Sequence, residues 1–208
     1  MRKRYLIFFL GLIIQSVGIT LVVKSLLGTS PISSVPYVLS LALPFTFGQT
    51  TMAVSTLFVI AQFLIARKDF PTIQFLQIPV TIIFGVCIDI SMYLLAWVVP
   101  EAYLWKIFVL LLGAILVALG VAFQILADVL MLSGEGIVYA ISCVFKIEFG
   151  KVKTRFDCFL VASAVILSLY YLGTIEGVRE GTLISALITG VIARFFIRLL
   201  KPILHLKK

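Results

Sequence analysis

LLGTSPISSVPYVLSLALP, residues 26–44, interrupts a chain that is otherwise apolar for long stretches. In nineteen positions it places Gly28, Thr29, three serines (Ser30, Ser33, Ser34) and three prolines (Pro31, Pro36, Pro44). A plain membrane helix has no use for such residues, because proline removes a backbone donor and glycine loosens the backbone. The pattern predicts a helix broken on purpose. Glycine supplies the bend, Pro31 suits a first helical turn, and the hydroxyls and freed backbone groups are placed to line a cavity.

The surroundings fix the medium. Of 208 residues, 62% are hydrophobic and 12% charged, and the mean hydropathy is +1.21. A water-soluble domain is nearer half apolar and a quarter charged. Tyr5–Leu27, Ile73–Val99 and Leu104–Leu132 each reach the ~20 residues that cross a bilayer core as a helix. The composition predicts an all-α polytopic membrane protein, with 1–208 as one membrane domain and the lipid bilayer as its first partner. The basic start MRKR precedes an apolar run too long for a signal peptide and followed by no small-residue cleavage site, which predicts an uncleaved first span.

The net charge of +8 does not point to nucleic acid. Basic residues gather in MRKR, ARK, KIEFGKVKTR and IRLLKPILHLKK, the pattern of cytoplasmic loops. It places both termini in the cytoplasm of a cell whose inner membrane holds the chain. Cys87, Cys143 and Cys158 are odd in number and lack C-x-x-C spacing, so neither a disulfide framework nor a metal site is expected. The one histidine, His205, lies in the basic tail, and no phosphate-cradling glycine loop occurs. Neither an enzyme nor a cofactor is expected.

An internal repeat organises the chain. An offset of 102 pairs Gly11 with Gly113, Gly18 with Gly120, Tyr37 with Tyr139, Ser40 with Ser142, and Phe47-Gly48 with Phe149-Gly150. After a three-residue insertion, Gly85-Val86 pairs with Gly190-Val191. The repeats are 1–100 and 103–208. Each holds a long span, a short broken segment, a medium span and a long span: 5–27, 30–47, 50–66 and 73–98, then 105–131, 134–147, 157–172 and 181–199. Two topologies follow. If the short segments are re-entrant, there are six full spans and the halves are inverted. If they cross, there are eight and the halves are parallel. Charge favours six, since FGQT, PEAYLWK and TIEGVRE then face outward and are nearly neutral.

Polar residues inside spans are functional candidates, because burying them in lipid is costly. Gln77, Thr81, Gly85 and Asp89 recur every four residues on one helix face, and Thr182, Ala186, Gly190 and Arg194 form the matching stripe. Inverted halves set Asp89 and Arg194 roughly 10 Å apart in depth, whereas parallel halves set them level. Arg194 also begins the basic tail and can snorkel to headgroups. Gly11 and Gly18 on the first span, with Gly113 and Gly120 on the fifth, suit close helix packing or a homodimer. Gln15, Gln124 and Asp128 each need a partner. Glu135, in LSGEG, takes the repeat position of Ser33 and is either a coordinating carboxylate or a loop acid. Solute- or ion-binding candidates are therefore Asp89, Gln77, Thr81, Ser30, Ser33, Ser34, Glu135, Gln15, Gln124, Asp128 and Arg194.

LGTSP at 27–31, FGQ at 47–49 and GVCID at 85–89 resemble the YczE/YitT-type bacterial integral membrane proteins. That resemblance implies a bacterial cytoplasmic-membrane protein of this size and a second glycine-proline element, where LSGEG stands instead. The expected function is a small secondary transporter or permease for a small solute or ion. The alternative is a non-transporting scaffold or accessory subunit.

Overall fold

The computed structural model describes residues 2–67 and 70–204, so Lys68, Asp69 and His205 lie outside the described residues. Among the described residues the chain is helical, without strands. The helices are α1 (Arg2–Lys24), α2 (Pro31–Ala42), α3 (Phe47–Ala66), α4 (Gln77–Leu94, entered through a 3-10 turn Thr72–Leu76), α5 (Tyr103–Ala127), α6 (Ser133–Phe145), α7 (Phe149–Leu172) and α8 (Glu180–Leu204). Six are long and apolar enough to cross a membrane: α1, α3, α4 with its entering turn, α5, α7 and α8. The two short ones, α2 and α6, are the segments expected to be broken.

Several boundaries differ from expectation for local reasons. FGQT was expected as a loop, yet Phe47 opens α3. Thr46 accepts from the Gln49 backbone N–H at 3.1 Å while the Gln49 side chain accepts from the Thr46 N–H at 3.0 Å, a capping box that starts the helix here. The medium span expected from 157 begins at Phe149, because charge ends a hydropathy signal without ending a helix. The last span, expected over 181–199, runs on into the basic tail as far as Leu204.

The chain separates into two compact units, and α4 contributes to both. The first comprises Met1–Ser30, Cys87–Val129 and Gly177–Lys208. At its centre α1 packs on α5 with almost nothing between the backbones. A Cβ at Gly18 would lie 2.5 Å from the Val117 nitrogen and 2.8 Å from the Gly113 oxygen, and one at Gly120 would lie 2.5 Å from the Gly11 oxygen. As the position on α1 rises from 11 to 18, its partner on α5 falls from 120 to 113, so the two helices run antiparallel. Helix α1 and the end of α4 run the same way. Ser16 and Ser91 hydroxyls meet at 3.3 Å, and further along α1 Leu21 shares an apolar cluster with Val109 and with Val98, just past the end of α4. Helix α8 packs on α5, with Ile184 against the cluster of Val22, Leu27 and Leu110.

The second unit comprises Pro31–Val86 and Leu130–Glu176. Each short helix lies against both longer ones: α2 on α3 and α7, α6 on α3 and α7. Tyr37 stacks edge-on to Phe47, and Thr50 donates its hydroxyl proton to the Pro36 carbonyl at 2.8 Å. Phe58 and Phe156 meet where α3 passes α7. A side chain at Gly85 would strike Met52 and the Gly48 carbonyl, so α4 lies tight on α3, and the bond of Gln77 to Gln62 makes the pair antiparallel.

Close backbone approach leaves no room for side chains at the α1–α5 crossing. Gly18→Leu and Gly113→Leu are each expected to lower stability by about 1–3 kcal/mol, the range for overpacking a tight contact. Gly190→Ala, with nothing within 4 Å, should be neutral. Thermal unfolding of the purified protein in detergent measures all three.

Candidate functional site

The polar residues of the first unit are largely bound to one another. Gln124 donates its amide to the Gln15 carbonyl oxygen at 2.6 Å, linking α1 to α5 just beside Gly120. Both side chains are 7% exposed. The partner that each needed is thus the other. Asp128 is not part of this set. It is exposed, in the left-handed region at φ 49°, and its backbone N–H closes the end of α5 on the Gln124 carbonyl. Asp128 is a helix terminator at the surface, a role that spacing alone does not separate from a buried carboxylate.

The first half of the opening stretch also belongs here. Gly28 has φ 118°, which favours glycine, and a Cβ there would sit 2.5 Å from the Thr182 hydroxyl oxygen. That oxygen accepts from the Thr29 N–H at 3.2 Å and the Arg179 N–H at 3.3 Å. Thr29 donates its hydroxyl proton to Gly177 O at 3.0 Å, and the Gly181 N–H bonds Leu27 O at 2.8 Å. GTS is therefore bolted to the turn that starts α8. In the second unit, the Ser34 hydroxyl bonds Pro31 O within its own helix at 2.6 Å. The Thr29 hydroxyl thus closes a chain reversal and the Ser34 hydroxyl a helical turn. Ser33 is buried and Ser30 partly so, and both are engaged with neighbours.

On α4, Gln77, Thr81 and Gly85 are buried and Asp89 partly so, as a stripe facing inward requires. Asp89 too is engaged with a neighbour. The matching stripe on α8 departs from expectation. Thr182 is buried, but Ala186, Gly190 and Arg194 are exposed, so that face turns outward below its first turn. Arg194 is exposed and belongs to no core.

The second unit gathers the densest polar group. Gln62 and Gln77, 2% and 1% exposed, form a reciprocal amide pair with bonds of 3.0 and 3.2 Å. Gln62 also donates to the Ser133 carbonyl at 3.1 Å, and Gln77 to Gln74. The pair rests on the first turn of α6, where a Cβ at Gly136 would lie 2.5 Å from Gln62 Oε1. Gly134 leaves no room for a side chain beside Ile32, so the first turns of α2 and α6 touch. Pro36 has no N–H for the Ile32 carbonyl, which loosens the α2 turn at that contact. Glu135 lies between Gly134 and Gly136, partly buried, in the field of Lys153 and Asp157 of α7. Lys153 bonds Asp157 at 2.6 Å. Gln62, Lys153 and Asp157 escaped the sequence reading. A glutamine inside VIAQFLIA was the available signal for the first, and the helix running on through KVKTRFD for the others. Among the described residues no three His, Cys, Asp or Glu side chains are grouped to hold a metal ion.

The amide pairs are testable by a double-mutant cycle. Gln15→Leu leaves the Gln124 amide unpaired and should cost about 1–2 kcal/mol, as should Gln124→Leu, while the double variant should cost no more than either alone. Thermal unfolding of the four proteins measures the coupling.

One family model matches residues 2–198, nearly the whole chain, and its description is a family of unknown function, DUF6198. No curated protein and no solved structure matches the chain.

Proposed function

We propose, for this chain as a member of the DUF6198 family, a small membrane permease for a solute or ion, built from two inverted repeats, 1–100 and 103–208. Each repeat has three full spans and one re-entrant helix. The observation that carries the reading is the contact of α2 and α6 at their first turns. Ile32 and Gly134, which touch there, are equivalent under the 102-residue offset. Half-length helices that meet at their starts beside a carboxylate and paired amides are the arrangement by which inverted-repeat transporters bind a solute within the membrane.

The α1–α5 crossing supports the same topology. Gly11 is equivalent to Gly113 and Gly18 to Gly120, yet Gly11 meets Gly120 and Gly18 meets Gly113. Such an exchange is what a two-fold axis between antiparallel equivalents produces. With eight crossings and parallel halves, α1 and α5 would traverse the membrane in the same direction. The proposal places the chain in a bacterial cytoplasmic membrane with both termini inside. The YczE/YitT likeness belongs to it and rests on LGTSP, FGQ and GVCID alone. A homodimer would need a face other than these glycines, which α1 and α5 occupy against each other.

Glu135, with Gln77 and Thr81 in the same unit, and Asp89, taken by itself in the other, are the proposed solute- or ion-handling residues. A scaffold is the second reading, favoured by the mutual satisfaction of Gln15 with Gln124 and Gln62 with Gln77. The two readings part on Asp89→Asn and Glu135→Gln. For a permease, both variants express and elute as wild type, and counterflow of at least one labelled compound into vesicles falls at least about tenfold, a loss of about 1.4 kcal/mol of transition-state stabilisation. The panel is amino acids, small carboxylates and inorganic cations. Wild-type flux unchanged by either substitution, or variants that fail to assemble, contradict it.

A further inference from the structure

Helix α8 carries charge that nothing on the protein neutralises. Arg194, Arg198 and Lys201 are exposed, and no acidic residue occurs from Gly181 to the end of the chain. Among the described residues, none of the three has an acidic partner. The lysines of α7 differ, since Lys151 pairs with Glu148 at 3.4 Å and Lys153 with Asp157 at 2.6 Å. Within the first unit, Glu101 and Glu180 stand at the starts of α5 and α8, and Asp89 lies on α4. The start of α8 is held to the end of α1 by the Gly181 N–H on Leu27 O, and Ile184 packs with Val22 and Leu110. Helix α8 therefore runs with α5 and against α1. Its cationic end lies toward the exposed Arg2 and Lys3, with Asp128 the one carboxylate of the unit at that end.

The same face is shaped for a hydrocarbon chain. Ala186, Gly190, Arg194 and Arg198 follow at four-residue spacing, and all are exposed. A Cβ at Gly190 would meet nothing within 4 Å, whereas Gly11, Gly18, Gly113 and Gly120 are closed by neighbours. Beside this line Leu187, Val191, Phe195 and Leu199 stand out as a ridge, 50–74% exposed. The result is a furrow with small residues along its length and guanidinium groups at one end. Arg194 lies about 21 Å along the axis from Glu180. Its stem thus stays among the acyl chains while its head reaches the edge of the ~30 Å hydrocarbon layer.

We propose that this face of α8 binds an anionic phospholipid, with the phosphate on Arg194 and Arg198 and one acyl chain along Gly190 and Ala186. The planar fork of arginine holds two phosphate oxygens at once, which suits it to this headgroup. A free phosphate would use the arginines and leave the furrow empty. A second copy, related by a two-fold axis along the membrane normal, would set the same cations against each other. The site requires no solute flux, so it stands or falls apart from the permease reading.

The experiment is native mass spectrometry of the full chain in detergent, with phosphatidylglycerol or phosphatidylcholine of matched chains added at equal concentration. Wild type is expected to retain phosphatidylglycerol in preference. Arg194→Gln and Arg198→Gln are each expected to weaken that binding roughly fivefold, the worth of one basic residue near an anionic surface. Gly190→Leu fills the furrow and is expected to lose phosphatidylglycerol although every charge remains. Lys151→Gln, on the paired α7 lysine, is expected to bind as wild type. Equal retention of the two lipids by wild type overturns the proposal, as does unchanged binding in Gly190→Leu or an equal loss in Lys151→Gln. Displacement of the lipid by millimolar inorganic phosphate would make this a free-phosphate site. A wild-type dimer that Gly190→Leu converts to monomer would give the face to a second copy, and either result contradicts the lipid. Circular dichroism and elution profile establish which variants fold, and the arginine variants decide alone if Gly190→Leu does not.

Discussion

Backbone-to-backbone contact between α1 and α5 is the constraint on which the first unit depends. Lipid is as apolar as a leucine side chain, so hydrophobicity cannot hold two spans together, and close packing with interhelical hydrogen bonds must do so. Gly11, Gly18, Gly113 and Gly120 bring the two backbones to the distance at which a Cβ would overlap a carbonyl. The hydrogen bond from the Gln124 amide to the Gln15 carbonyl oxygen then ties the seam at a point where water cannot compete for either side chain. The direction of this contact also has a consequence for topology. Two membrane spans that lie antiparallel traverse the bilayer in opposite senses, which requires an even number of crossings between them.

The parts of this architecture that follow from composition and spacing were legible in the sequence. The long apolar runs gave the spans, and the glycine register at an offset of 102 singled out the residues that the structure places in contact. What the register could not tell was whether Gly11 meets Gly113 or Gly120, since spacing on one helix says nothing of the direction of its neighbour. Helix starts were missed where the signal is chemical rather than apolar. Thr46 and Gln49 cap α3 within a stretch read as a loop, and α7 begins eight residues before its apolar run because lysine and threonine do not oppose a helix whose other face is covered.

The polar residues were harder still. A glutamine or serine in an apolar helix announces that it needs a partner, not which one. Gln15 and Gln124 found each other, whereas Gln77 found Gln62, which had not been singled out. GTS was recognised as a break, but its bonds to Gly177 and Thr182 join segments far apart in the chain, and no local pattern encodes them. Glu135 was flagged by its position in the repeat. Lys153 and Asp157 were not, because the i,i+4 spacing that pairs them matters only once α7 is known to be folded there.

Accessibility of single cysteines to a membrane-impermeant reagent tests the inverted architecture most directly. Cysteine is placed singly at Gln49, Glu101 and Lys151 in a chain whose three native cysteines are replaced, and is labelled in intact cells and in inverted vesicles. The inverted account predicts that positions 49 and 101 react only from outside and position 151 only from inside. Labelling of positions 49 and 101 from the same side as 151 would contradict it, because α2 would then cross the membrane and α1 and α5 would run in parallel.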